Sequence, residues 1–301
     1  MTRRPAAGAL LALAALALIW GYNWVIMKRA LHDAGPFTFA ALRALLGALA
    51  LFAVLAARRR PLRPAHLPGM LVLGLLQTTG FLGFVIWALV GGGAGRTAVL
   101  AYTMPLWLLV LAWPLLGERI RGLQWAAVAA AAAGLVLILQ PWRMHAHVLS
   151  IVLAMLGGVS WALAAIWAKH LRRRVDLELL SLTAWQMLLG ALPLILVALW
   201  REPQPVSWTP YFAAALAYNA LLATALAWLL WLYALDRLPA GIAGMGTLAV
   251  PVIGLVSAWL RLGERPAPLE AAGMALILAG LAILAVQRLR AGTAEELPPQ
   301  D

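Results

Sequence analysis

Few side chains in this sequence can do chemistry from inside an apolar run. Gln77, Trp161 and Asn219 fall near the middle of long apolar stretches, while Trp20, Asn23 and Tyr102 lie within such stretches, nearer one end. A polar group left unpaired in hydrocarbon costs about 2–7 kcal/mol. Each of these residues therefore either bonds a neighbouring helix or lines a cavity. Grouped around one cavity they would offer neutral donors, acceptors and aromatic faces, which suits reversible binding of a small neutral or zwitterionic solute. Pro105 and Pro251 lie at matched places in two apolar runs, and each removes the donor to the carbonyl four residues back, at Ala101 and Thr247. Freed carbonyls beside Tyr102 and near Met245 could bond a substrate or let the helix bend, so both prolines are candidate hinges and Met245 a candidate contact.

Arg43 is the charged residue set clearly within a run. It could hold a substrate carboxylate, or it could be structural; the expectation that its helix packs away from the cavity favours the structural use. The acids, Asp33, Glu118, Asp176, Glu178, Glu202, Asp236, Glu264, Glu270, Glu295, Glu296 and Asp301, all lie outside the centres of the runs, so no carboxylate proton relay is expected. Glu118-Arg119 and Glu264-Arg265 read as helix caps. No cysteine is present, and the histidines fall in loops; His145-x-His147 reads as solvated rather than metal-binding. Nothing resembles a phosphate-binding loop or an intramembrane protease, so no enzyme activity, metal or cofactor is expected.

The elements that position these residues follow from composition. With 64% hydrophobic residues, 11% charged residues and a mean hydropathy of +0.89, the chain cannot cover a water-soluble globule with polar surface. The net charge of +12 sits in short loops, with no continuous basic face for nucleic acid. A span of about 20 apolar residues crosses a bilayer. Ten stretches qualify, near 6–27, 36–57, 67–90, 94–116, 121–140, 148–168, 178–200, 209–235, 240–262 and 267–287. Fifteen Lys and Arg fall on the side holding both termini and seven on the other, which puts both termini in the cytoplasm. The first run continues through Ile19 to Met27 without a cleavage pattern and reads as a retained span.

The chain also repeats itself. Pro105 to Gly117-Glu-Arg119 recurs as Pro251 to Gly263-Glu-Arg265, and Trp113 as Trp259, offset by 146; Leu45-Leu-Gly-Ala-Leu49 returns as Leu188-Leu-Gly-Ala-Leu192, offset 143; Trp20 and Lys28 return as Trp161 and Lys169, offset 141. Five spans per copy, an odd number, make the copies opposite in orientation. The expected architecture is all-α and integral to the membrane, with ten helices as two inverted five-helix repeats. The repeats are 1–143 and 144–290, with 291–301 as a disordered cytoplasmic tail. Small residues Ala126, Ala130, Ala133, Gly134, Gly273 and Gly280 suit close helix packing within the bundle or between protomers of a homo-oligomer. Trp125, Trp142, Trp200, Trp208 and Trp259 lie near span ends, as interfacial indoles do.

These repeats, each closing with a proline-bearing helix, Leu-Gly-Glu-Arg and a glycine-containing last helix, resemble the EamA family of the drug/metabolite transporter superfamily. The best match runs from Tyr233 through Pro251 to Glu264-Arg265, Gly273 and Gly280; the first-half copy departs from the pattern at Gly91-Gly-Gly93. The resemblance implies a carrier in the inner membrane that exports small metabolites, amino acids above all and aromatic ones to be compared first, by alternating access. The competing readings are uptake of another solute and a non-transporting lipid-handling or scaffold protein. The expected substrate site is Trp20, Asn23, Gln77, Tyr102, Trp161, Asn219 and Met245.

Overall fold

A computed structural model describes residues 3–116, 122–140, 148–235, 237 and 247–295. Among them every regular element is helical. We label these α1 (Arg3–Ala30), α2 (Pro36–Ala57), α3 (Leu67–Gly91), α4 (Ala94–Ala101), α5 (Met104–Leu116), α6 (Leu123–Leu139), α7 (Val148–Arg172), α8 (Leu179–Arg201), α9 (210–235), α10 (Ala249–Leu262) and α11 (Pro268–Glu295). Eight helices are long and apolar enough to cross a membrane, one of them running through the α4–α5 junction. The shorter apolar helices Leu123–Ile138 and Ala249–Leu262 accompany them.

The two halves pack by exchange. Helix α1 lies on α9 and α10, as α7 lies on α3 and on α4 and α5; α3 packs on α8, as α9 packs on α2. The pairs α2 with α8 and α6 with α11 join equivalent helices. Without water to expel, helices in lipid associate through close packing of small residues. Gly74 and Gly190 supply this between α3 and α8, where a Cβ on Gly74 would meet the Gln186 carbonyl oxygen at 2.7 Å. Gly134, Gly273 and Gly280 close α6 onto α11. These glycines are spent inside the chain; only Ala126 and Ala133 of the small-residue stripe remain exposed.

Three local features depart from the sequence reading. Pro105 and Pro251 do not sit inside their helices: the chain turns at Tyr102 and Thr103, and α5 begins at Met104, while α10 begins at Ala249. Both prolines occupy first turns, where the missing N–H would have had no helical acceptor and the fixed φ suits the start of a helix. Helices α3 and α9 each contain a π-helical stretch, Gly74–Leu82 and Tyr218–Leu226, at matched places. Finally, α11 continues to Glu295. The helix therefore takes in the first residues of the stretch expected as a tail from 291, while 296–301 lie outside the described residues.

One end of the bundle is tied by its acids. Gly263, at φ +69°, ends α10 and turns Glu264 onto the start of α4, where its carboxylate accepts from the Ala94 and Gly95 amides at 2.9 and 3.2 Å. Glu202 does the same for α2, accepting from Phe37 and Thr38 at 2.9 and 2.8 Å. A carboxylate on the free amides of a helix start satisfies orphan donors and complements the dipole. Lys28 donates to the carbonyls of Leu89 and Gly92 at the end of α3, and Arg96 pairs with Glu270 at 3.1 Å. Glu118, Arg119, Trp142, His145 and His147 lie outside the described residues.

Candidate functional site

A cavity of about 570 Å³ runs through the middle of the bundle. Its walls come in matched sets. Helix α1 contributes Trp20, Asn23, Trp24 and Met27, and α7 contributes Trp161, Ala164, Ala165 and Ala168. These quartets are related residue for residue by the same offset of 141 that relates the two tryptophans. Arg43 on α2 and Gln186 on α8 face the cavity at equivalent positions, as do Tyr102 and Leu248. The remaining wall includes Gln77, Thr78 and Phe81 of α3 and Ala223, Thr224 and Trp228 of α9.

The aromatic groups form a continuous lining. Trp161 lies 4.8 Å from Phe81 and 5.4 Å from Tyr102 between ring centres, and Tyr102 meets Trp24 edge-on at 6.5 Å. One turn before Trp24 on α1, Trp20 contacts Trp228 edge-on at 6.4 Å and donates its indole N–H to the Ala223 carbonyl at 2.8 Å. That carbonyl belongs to the π-helical stretch of α9, a departure from α-helical register found frequently at functional sites. In α3 the equivalent stretch is held by Ser160, which donates to Leu76 at 2.7 Å, and by Thr79, which donates to Gly190 at 2.7 Å.

Five of the residues expected at the site, Trp20, Asn23, Gln77, Tyr102 and Trp161, line this one cavity. Pro105 lines it too, at the start of α5, whereas Pro251 is buried and is not among the lining residues. Asn219 is a correction: it is fully buried outside the lining, donating to the Ala215 carbonyl of its own helix at 2.8 Å. The π-helical stretch in which it lies shifts the side chains of α9 from the face that an unbroken helix would present. Met245 lies outside the described residues. Arg43 also lines the cavity, although its helix α2 was expected to pack away from it. Its match to Gln186 under the repeat offset was the available signal, since two polar residues at equivalent depth mark one internal surface.

The cavity is closed at one end and extends toward the other. Beyond Met27 and Ile86 the bundle is packed by Ala30, Leu89, Ala94 and Ala98, all fully buried, beneath the Glu264 and Lys28 ties. In the other direction the lining reaches Ala168, Leu179, Trp231 and Ala285. Helix α11 contributes Leu281, Leu284 and Ala285, while its equivalent α6 contributes nothing among the described residues, so the walls are matched at the centre and unmatched toward this end. No three metal-ligating side chains come together among the described residues.

A largely apolar central cavity with a few polar side chains in its wall, set between equivalent helices of two homologous halves in a bundle of membrane-length helices, is the arrangement of a membrane transporter. The chain belongs to the EamA-like transporter family, whose model matches residues 6–140 and 148–286. It is 29% identical to the uncharacterized transporter YoaV of Bacillus subtilis (strain 168), over 85% of this chain and 89% of that one. It is 30% identical to a protein of Salmonella typhimurium named as a probable amino-acid metabolite efflux pump, over 88% and 91%, and 29% identical to the Escherichia coli (strain K12) protein of the same name, over 94% and 95%. A solved crystal structure at 22% identity superimposes with a TM-score of 0.65, covering 94% of this chain and 98% of that one, and shares the fold.

Proposed function

We propose that the protein is a secondary transporter that exports small metabolites, amino acids foremost, by alternating access at the central cavity. The observation that carries this reading is the pair of quartets from α1 and α7, which puts the cavity at the meeting of two equivalent halves, where a rocking carrier holds its substrate. In this reading ten spans form two inverted repeats, 1–143 and 144–290, in the inner membrane. Both termini face the cytoplasm, in keeping with the Lys and Arg asymmetry of the loops. The tied end with Glu264 and Lys28 is then extracellular and the mouth between α7, α9 and α11 cytoplasmic, the access needed to load a solute for export. Two relatives named as amino-acid metabolite efflux pumps favour amino acids as the solute class. A cavity lined by tryptophan, tyrosine and amide side chains suits a solute with an apolar body. No cofactor or nucleotide enters the cycle.

Counterflow in proteoliposomes preloaded with members of an amino-acid panel tests the proposal. Accumulation of labelled solute driven by its own unlabelled form is expected for at least one member. Equal accumulation in vesicles with and without the preload, across the panel, would argue for a packed scaffold instead.

A further inference from the structure

Arg43 is the polar group of this molecule least accounted for. It stands in the eighth position of α2, about 10 Å along the helix axis from Pro36. It lines the central cavity, and its side chain meets no carboxylate: the guanidinium donates to the Met27 sulfur at 2.7 Å, and its Nε is buried without a partner. A thioether is a weak acceptor for a group with five N–H donors. None of the described cavity-lining residues is Asp or Glu. Around the same cavity two amides are also incompletely bonded. Asn23, one turn before Met27 on α1, and Gln186, at the position equivalent to Arg43 on α8, each bury an amide oxygen without a partner, at 5% and 6% exposure.

A cation at membrane depth without a counterion is expensive and is kept where a pathway or substrate needs it. Guanidinium geometry matches a planar carboxylate through two parallel hydrogen bonds. Resting on the transporter reading above, we propose that Arg43 is the substrate's carboxylate receptor. The substrate class is then a carboxylate with an apolar, preferably aromatic, body seated against Trp161, Phe81 and Tyr102. In that class the carboxylate is obligatory and the α-amino group dispensable: among the described lining residues an ammonium meets neutral amides, hydroxyls and aromatic faces, and no carboxylate. The repeat's broken symmetry, arginine against glutamine, gives the solute one orientation in an otherwise two-fold cavity.

The test uses three probes sharing one phenyl body: phenylalanine, 3-phenylpropionate, which lacks the amine, and phenethylamine, which lacks the carboxylate. Binding to the purified full chain is read by ligand-induced thermal stabilisation, alongside counterflow of labelled phenylalanine. The two carboxylates should bind and the amine should not, and Arg43→Gln should weaken both carboxylates roughly tenfold or more. In the ligand-free protein Arg43→Met should raise the melting temperature, because it removes an uncompensated buried charge. Equal binding of the amine, absence of carboxylate binding, or carboxylate affinity unchanged in Arg43→Gln would each overturn the assignment. A fall in ligand-free melting temperature with unaltered affinity would do so as well. Carboxylate binding that depends on Arg43 without counterflow would leave the receptor standing and remove the transport reading, whereas counterflow indifferent to Arg43 would do the reverse.

Discussion

Gly134 on α6 and Gly273 on α11 lie so close that a Cβ on either would stand 2.5 Å from the other's carbonyl oxygen. The equivalent pairing, related by the offset of 146, lies two turns away, where a Cβ on Gly280 would meet the Ala127 carbonyl oxygen at 2.8 Å. The two helices thus meet across a contact that exchanging the halves leaves unchanged.

Gly134→Val should force these backbones apart and cost about 1–3 kcal/mol, as overpacking does elsewhere. The check is thermal melting of the purified protein beside Ala133→Val, whose site is exposed and should change little. Equal melting of both variants and the parent would mean the contact carries no energy.

Trp161→Ala should abolish transport and leave the protein inserted and folded, because the ring faces the cavity and touches Phe81 and Tyr102 rather than a distant helix. Size-exclusion profile and melting curve establish the fold, and counterflow reads the function. An active, well-folded alanine variant would remove Trp161 from the site.

Glu264→Ala should leave the Ala94 and Gly95 amides without their acceptor and loosen the tied end by about 0.5–2 kcal/mol. Because the chain has no native cysteine, an Ala30→Cys reporter can read this. Ala30 is fully buried beneath that end. Labelling by an impermeant thiol reagent from outside should rise in the Glu264→Ala background. Unchanged labelling would place the closure elsewhere.

No carboxylate belongs to the described lining, so transport should not hinge on protonation of a mid-membrane acid. Rates in proteoliposomes with and without an imposed pH gradient give the answer. A strong acceleration that disappears on replacing a single Asp or Glu would show that such a relay exists.

Much of this molecule was readable from its residues. Hydropathy placed the apolar helices because a bilayer sets their length, and the offset of Trp20 to Trp161 already related the two walls of the cavity. The rest depended on hydrogen-bond register and helix rotation, which composition does not encode. The π-helical stretches in α3 and α9 turn Asn219 away while Gln77 stays on the lining. Proline marked matched places in the two halves, but Pro105 stands in the first turn of a helix after the turn at Tyr102, not in the interior of a continuous one. Arg43 could not be aimed by periodicity, since α2 buries several of its faces; its match to Gln186 under the repeat offset was the one sequence signal that pointed inward.

The most direct test of a solute path through this cavity is a single Gln77→Cys variant of the cysteine-free chain, assayed for counterflow before and after reaction with a bulky thiol reagent. Gln77 lies in the wall between the two halves. The variant should be active, lose counterflow on modification and be protected by transported solute. Full counterflow after complete modification at 77 would contradict it.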